Sequence, residues 1–167
     1  MGKTTIINHL HGLGYDIMPE AGRQIIQHQV KTNGNRLPWA DQRGYAVEMS
    51  QKAISDYDRV LKTDRITFFD RGIPDVIGYL MLCRLPVSND LWQAAKYRGY
   101  HKKVFITPPW KEIYICDAQR RQTYEEAVAT YDVMQCVYEK LGYTLLAVPK
   151  STVENRAAFI ADALRKA

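Results

Sequence analysis

Cysteine is scarce in this chain of 167 residues. Cys83, Cys116 and Cys136 are an odd number, widely spaced and without a C-x-x-C pair. That argues against a disulfide framework, and the thiols read as reduced, in a cytoplasmic protein. The histidines His9, His11, His28 and His101 fall at no metal-ligand spacing, so zinc is not expected. No long run of Lys or Arg occurs, which argues against a polyanion surface and a specific nucleic-acid partner. Apolar runs of membrane-spanning length are absent, as are a signal-peptide pattern, internal repeats, low-complexity tracts and linkers. The chain is therefore read as one domain over residues 1–167. What is present is an ordinary globular balance, 46% hydrophobic and 25% charged, with a net charge of +5 and a pI near 9.1. The basic lean suits a phosphate-bearing ligand.

Helical and strand-like segments alternate along the chain. Thr4 to about His11 reads as a helix stopped by Gly12 and Gly14, and Tyr15–Met18 as a short strand. Pro19–Arg23 turns into a helix through Ile25, Ile26 and Val30. Pro38-Trp39 opens a long helix to about Leu61, with Ala46, Ala53, Tyr57 and Val60 as its stripe and Val47, Ile54 and Leu61 beside them. Ile66–Phe69 reads as a buried parallel strand, short, apolar and closed by Asp70. Asp75–Cys83 is helical, and Asn89-Asp90 caps another helix. Val104–Ile106 is the next strand. A helix from about Thr123 ends at Gly142, Leu145–Val148 is the last strand, and Ser151 or Thr152 caps the final helix. This alternation predicts an α/β fold with a parallel sheet, whose ligands bind beyond the carboxyl ends of the strands.

Gly2-Lys3-Thr4-Thr5 runs straight into the apolar Ile6-Ile7. This is the back half of a P-loop, in which a strand leads into G-x-x-x-x-G-K-[ST] and a helix follows. Backbone N–H groups of such a loop cradle the phosphates of ATP, the lysine reaches the outer ones, and the first Thr hydroxyl holds Mg²⁺. Gly2, Lys3, Thr4 and Thr5 are the nucleotide-binding candidates, with Thr4 a metal ligand. The alternative for these residues is a basic side chain near a helix start.

Asp70 stands where an apolar strand meets a loop, the place of a second Mg²⁺ ligand or of a solvated loop cap. Arg71 follows directly, and a guanidinium grips phosphate bidentately. Glu20, at the end of the preceding strand, is placed as a general base for an acceptor hydroxyl or as a first-turn acid favoured by the helix dipole. Arg23, three residues on, shares its face and is a candidate for binding the acceptor. Arg120 and Arg121 either close over phosphates as a lid spanning about residues 110–125, or form a solvated basic turn. Trp39, Trp92 and Trp110 frame a ring or pack the core.

Taken in order, these segments resemble the predicted bacterial ATPases with a NadR-type AAA domain. The resemblance lies in Pro19-Glu20-Ala21-Gly22-Arg23-Gln24-Ile25-Ile26, Leu37-Pro38-Trp39, Asp70-Arg71-Gly72-Ile73-Pro74-Asp75 with Tyr79, Pro108–Tyr114, Asp117–Gln122 and Gly142-Tyr143 with Val148-Pro149. The family is similar to the kinase domain of ribosylnicotinamide kinase and, more distantly, to deoxynucleoside and thymidylate kinases. The resemblance implies a P-loop nucleoside-kinase-like three-layer fold. It also implies ATP and Mg²⁺ as cofactors and transfer of the γ-phosphoryl group to the hydroxyl of a small-molecule acceptor. Glu20 falls on the base position, Asp70-Arg71 on the acid–arginine pair, and Arg120-Arg121 on the lid. A nucleotide-binding regulatory ATPase and an inactive fragment are the alternatives. The family begins with an apolar strand and a G-G-x-G-x-G-K-T loop, whereas here Met1 immediately precedes Gly2. The strands ending at Met18, Phe69, Ile106 and Val148 are thus expected to form one parallel sheet lacking its central first member. The chain, read as N-terminally truncated, is expected to bind Mg-ATP poorly.

Overall fold

A computed structural model describes residues 2–113 and 123–165. Contacts divide the chain into two units, residues 16–100 and residues 1–15 with 101–167. Among the described residues four strands form two parallel pairs, one in each unit, where one parallel sheet was expected.

In the unit of residues 16–100, strand β1 (Asp16–Met18) runs parallel to β2 (Thr67–Phe69). The register sets Asp16 against Thr67, Ile17 against Phe68 and Met18 against Phe69. The ladder continues one step further, because the Asp70 N–H donates to the Met18 carbonyl at 2.8 Å. Helices α2 (Ala21–Lys31), α3 (Gln42–Val60), α4 (Ile73–Leu82) and α5 (Asn89–Tyr97) pack in sequence, each against the next.

Helix α3 starts later than the sequence pattern implied. Leu37-Pro38-Trp39 forms a turn in which the Leu37 carbonyl accepts from the Ala40 and Asp41 N–H groups. Asp41 then caps the helix by accepting the Gly44 N–H at 2.8 Å. Its buried stripe is Tyr45, Ala46, Met49, Ala53 and Tyr57, at helical spacing, whereas Val47 and Leu61 are exposed. Helix α5 is capped by Ser88, one residue before the expected Asn89.

The entry to α4 is fixed by aromatic packing. Tyr100 stands edge-on to Tyr57 and to Phe69, with ring centroids 5.0 and 5.2 Å away. Its hydroxyl accepts the Ile73 N–H at 3.1 Å, and its ring covers Gly72. A Cβ on Gly72 would lie 2.8 Å from the Tyr100 Cζ. The ring is packed on two sides by Tyr57 and Phe69. Gly72→Ala is therefore expected to destabilise the protein by about 1–3 kcal/mol, the usual scale of overpacking. Urea titration of the two proteins checks this, and an unchanged midpoint would show that Tyr100 yields without cost.

In the other unit, helix α1 (Lys3–Gly12) packs on α7 (Val153–Arg165). Strand β3 (Lys103–Ile106) is parallel to β4 (Thr144–Ala147), and α6 (Tyr124–Lys140) packs on β4. A reciprocal cap starts α6: the Thr123 hydroxyl accepts the Glu126 N–H, and the Glu126 carboxylate accepts the Thr123 N–H at 2.6 Å. The helix stops through Gly142 at φ +80°, a conformation glycine adopts freely. Ile6, Leu10, Met134, Val137, Tyr138, Val148, Ala157 and Ile160 form the core of this unit. Lys103 donates to the Ala163 carbonyl at 2.9 Å and so ties β3 to the last turn of α7.

Candidate functional site

The register of β1 on β2 builds the site. Met18 and Phe69 are opposite each other, so the residues two positions beyond each, Glu20 and Arg71, emerge at the same carboxyl end of adjacent parallel strands. Arg71 Nε lies 3.0 Å from Glu20 Oε1, with the two side chains about one-third and one-quarter exposed. The same guanidinium extends Nη1 to Asp75 Oδ1 at 3.3 Å. Asp75 spends its other oxygen on the Gly72 N–H at 2.7 Å, which caps α4. One cation thus lies between two carboxylates, donating a hydrogen bond to Asp75 and forming an ion pair with Glu20.

The backbone accommodates this arrangement at a cost. Arg71 has φ +76°, a region that non-glycine residues rarely enter. Asp70, one residue earlier, is buried, whereas Arg71 is about one-third exposed. Glu20 is the residue before α2, and its carboxylate makes no capping hydrogen bond to that helix. Arg23 lies in the first turn of α2 with an exposed side chain.

Tyr45 of α3 closes the floor of the site. Its hydroxyl sits against Gly22 in the first turn of α2, where any Cβ would collide with it. Burial pushes the Tyr45 phenol up to about 12, the negative charge of Glu20 pushes the same way, and Arg71 opposes both. Tyr45 is therefore a neutral hydroxyl at physiological pH. The ring of Tyr79 meets that of Tyr45 edge-on at 5.3 Å, and burial also raises the Tyr79 phenol.

In the other unit, Gly2 precedes α1 at φ +71°. Lys3, Thr4 and Thr5 make the first turn of α1, which carries no acidic side chain and no side-chain cap. A helix start of this kind, with a basic side chain and two hydroxyls, matches the chemistry of a phosphate ligand. The Thr4 hydroxyl in this unit and the Asp70 carboxylate in the other are each hard oxygen donors of the type that Mg²⁺ takes. Arg120 and Arg121, and most of the expected lid, lie outside the described residues.

A family model described as an AAA domain matches residues 1–156. The chain belongs to the AAA domain family. No curated protein and no solved structure matches it. Membership places this AAA domain among the P-loop ATPases and points to nucleotide binding. The mixed α/β architecture with parallel strand pairs is consistent with that family. Among the described residues no helix is long and apolar enough to cross a membrane.

Of the residues singled out from sequence, the structure brings Glu20 and Arg71 into contact. It leaves Arg23 on the surface of the same helix start and buries Asp70 beside them in the chain. Sequence reasoning missed Asp75 and Tyr45 as parts of the site. Asp75 had a signal, four residues after Arg71 and three after Gly72, the spacing of an ion pair and of a cap. Tyr45 had none, because it reaches the site from another helix.

Proposed function

We propose that this AAA domain is a small-molecule kinase that moves the γ-phosphoryl group of ATP onto the hydroxyl of a nucleoside-like acceptor. The observation that carries the reading is the Glu20–Arg71 pair at the carboxyl ends of two parallel strands, where ligands of such sheets bind. A carboxylate held there by a guanidinium, beside a neutral tyrosine and without a helix to cap, is suited to take a proton from an acceptor hydroxyl. Arg71 and Arg23 supply cations for orienting that acceptor. Lys3 and the first turn of α1 are the candidates for binding phosphate, Thr4 and Asp70 are each candidate Mg²⁺ ligands, and Arg120 and Arg121 are candidates for stabilising charge on the transferring group. The resemblance to the ribosylnicotinamide kinase domain makes ribosylnicotinamide the first acceptor to try.

The deciding experiment measures ADP release from Mg-ATP with ribosylnicotinamide, adenosine, cytidine, guanosine and uridine as acceptors. Release that depends on one acceptor, with its phosphorylated product detected by mass, supports the kinase. Tight Mg-ATP binding with no turnover on any of them would replace it with the regulatory ATPase that the AAA family description also accommodates.

A further inference from the structure

We propose that Asp75 is a positioning residue, which holds Arg71 in place so that the guanidinium presents Glu20 to the acceptor. This rests on the acceptor-side reading of Glu20 above. Asp75 is the third residue of α4, counted from its cap at Gly72, and its side chain is 13% exposed. A capping role needs one carboxylate oxygen, and Oδ2 fills it by accepting the Gly72 N–H. The second oxygen is directed at Arg71 Nη1.

Arg71 needs such a hold. Three non-glycine residues of the described chain have positive φ: Asn33, Arg71 and Arg84. Arg71 is the one among them whose side chain bridges two acids. A left-handed residue persists where its surroundings over-determine it. Here Glu20 forms an ion pair at Nε and Asp75 accepts from Nη1, two nitrogens of one rigid planar group. A lysine has a single point of charge and cannot reproduce the arrangement. The anchor for Asp75 is itself fixed. The Ile73 N–H is taken by the Tyr100 hydroxyl, and Pro74 has no N–H to offer. The first turn of α4 is therefore committed to holding its own entry and Arg71.

The test separates the two oxygens of Asp75. In Asp75→Asn the amide oxygen can still accept the Gly72 N–H, but the NH₂ group then faces Nη1, donor against donor. Asp75→Ala loses both contacts. On the full chain we expect Asp75→Asn to melt within ~2 °C of the parent. We also expect it to shift or lose the Arg71 Nε–H nuclear magnetic resonance signal, assigned by its disappearance in Arg71→Lys. With ribosylnicotinamide as acceptor, kcat should fall about tenfold or more while KM for ATP holds, the scale of one charge-assisted hydrogen bond. Arg71→Lys leaves the cap untouched and should cost a similar factor. The double variant should lose no more than either alone, because both act through one bridge. A parental Arg71 signal in Asp75→Asn, or losses that multiply in the double variant, would overturn the proposal and reduce Asp75 to a helix cap. Should Asp75→Asn not fold, Arg71→Lys with parental kcat would overturn it. Full turnover in Glu20→Gln would instead remove the base assignment, and the Arg71 signal would still decide the bridge.

Discussion

Glu20→Gln is expected to lower acceptor-dependent turnover about a hundredfold or more while leaving Mg-ATP affinity nearly unchanged. The substitution is nearly isosteric. It keeps an oxygen 3.0 Å from Arg71 Nε and the packing around the start of α2, so the fold should be retained. What it removes is the capacity to accept a proton. The nucleotide candidates Lys3 and Thr4 belong to another element and are untouched, which is why affinity for ATP should hold. Single-turnover phosphorylation with the acceptor found in the panel measures the first quantity, and equilibrium dialysis with ATP the second. A variant that keeps full turnover would make Glu20 only a helix-start acid. A variant that loses ATP affinity in step with turnover would place Glu20 at the nucleotide instead.

The contrast between Glu20 and Asp75 shows which parts of the site can be read from a chain alone. Glu20 and Asp70-Arg71 were legible because each follows a short apolar run, and acids at strand ends are exposed to whatever binds there. Their contact was not legible. It depends on Met18 facing Phe69, and a slip of one residue would turn Glu20 and Arg71 away from each other. Local periodicity carries no information about that register. The same gap explains the strands. β1 and β2 fall within segments that alternation marked, and β3 and β4 begin one residue before theirs, at Lys103 and Thr144, yet their pairing two by two is a matter of long-range ladders. Helix α3 shows the converse. Its end was legible, but its start lies at Gln42, where the Asp41 side chain accepts the Gly44 N–H, rather than at Pro38-Trp39. Tyr45 lay hidden because it enters from a helix more than twenty residues away in sequence, and only packing on Gly22 reveals it.

Asp70→Asn should lower turnover by a factor on the order of a hundred and raise the Mg²⁺ concentration needed for half-maximal rate, because a metal ion supplies several kcal/mol of charge stabilisation in phosphoryl transfer. Asp70 directly follows β2, and its backbone N–H extends the ladder to Met18. That bond does not involve the side chain, so the strand end should survive the change. The carboxylate is only 6% exposed. Its position, directly after β2 and one residue before Arg71, puts this acid at the ligand-binding end of the strand pair rather than in the middle of the core. An amide of the same size keeps most packing and hydrogen-bonding capacity but is a far weaker ligand for a hard cation. Rates measured across a Mg²⁺ titration distinguish a metal role from a structural one. A metal ligand shifts the midpoint of that titration and leaves the melting temperature close to the parent's. A structural acid lowers the melting temperature and leaves the midpoint where it was. Unchanged metal dependence in a folded Asp70→Asn protein would remove Asp70 from the candidate metal ligands.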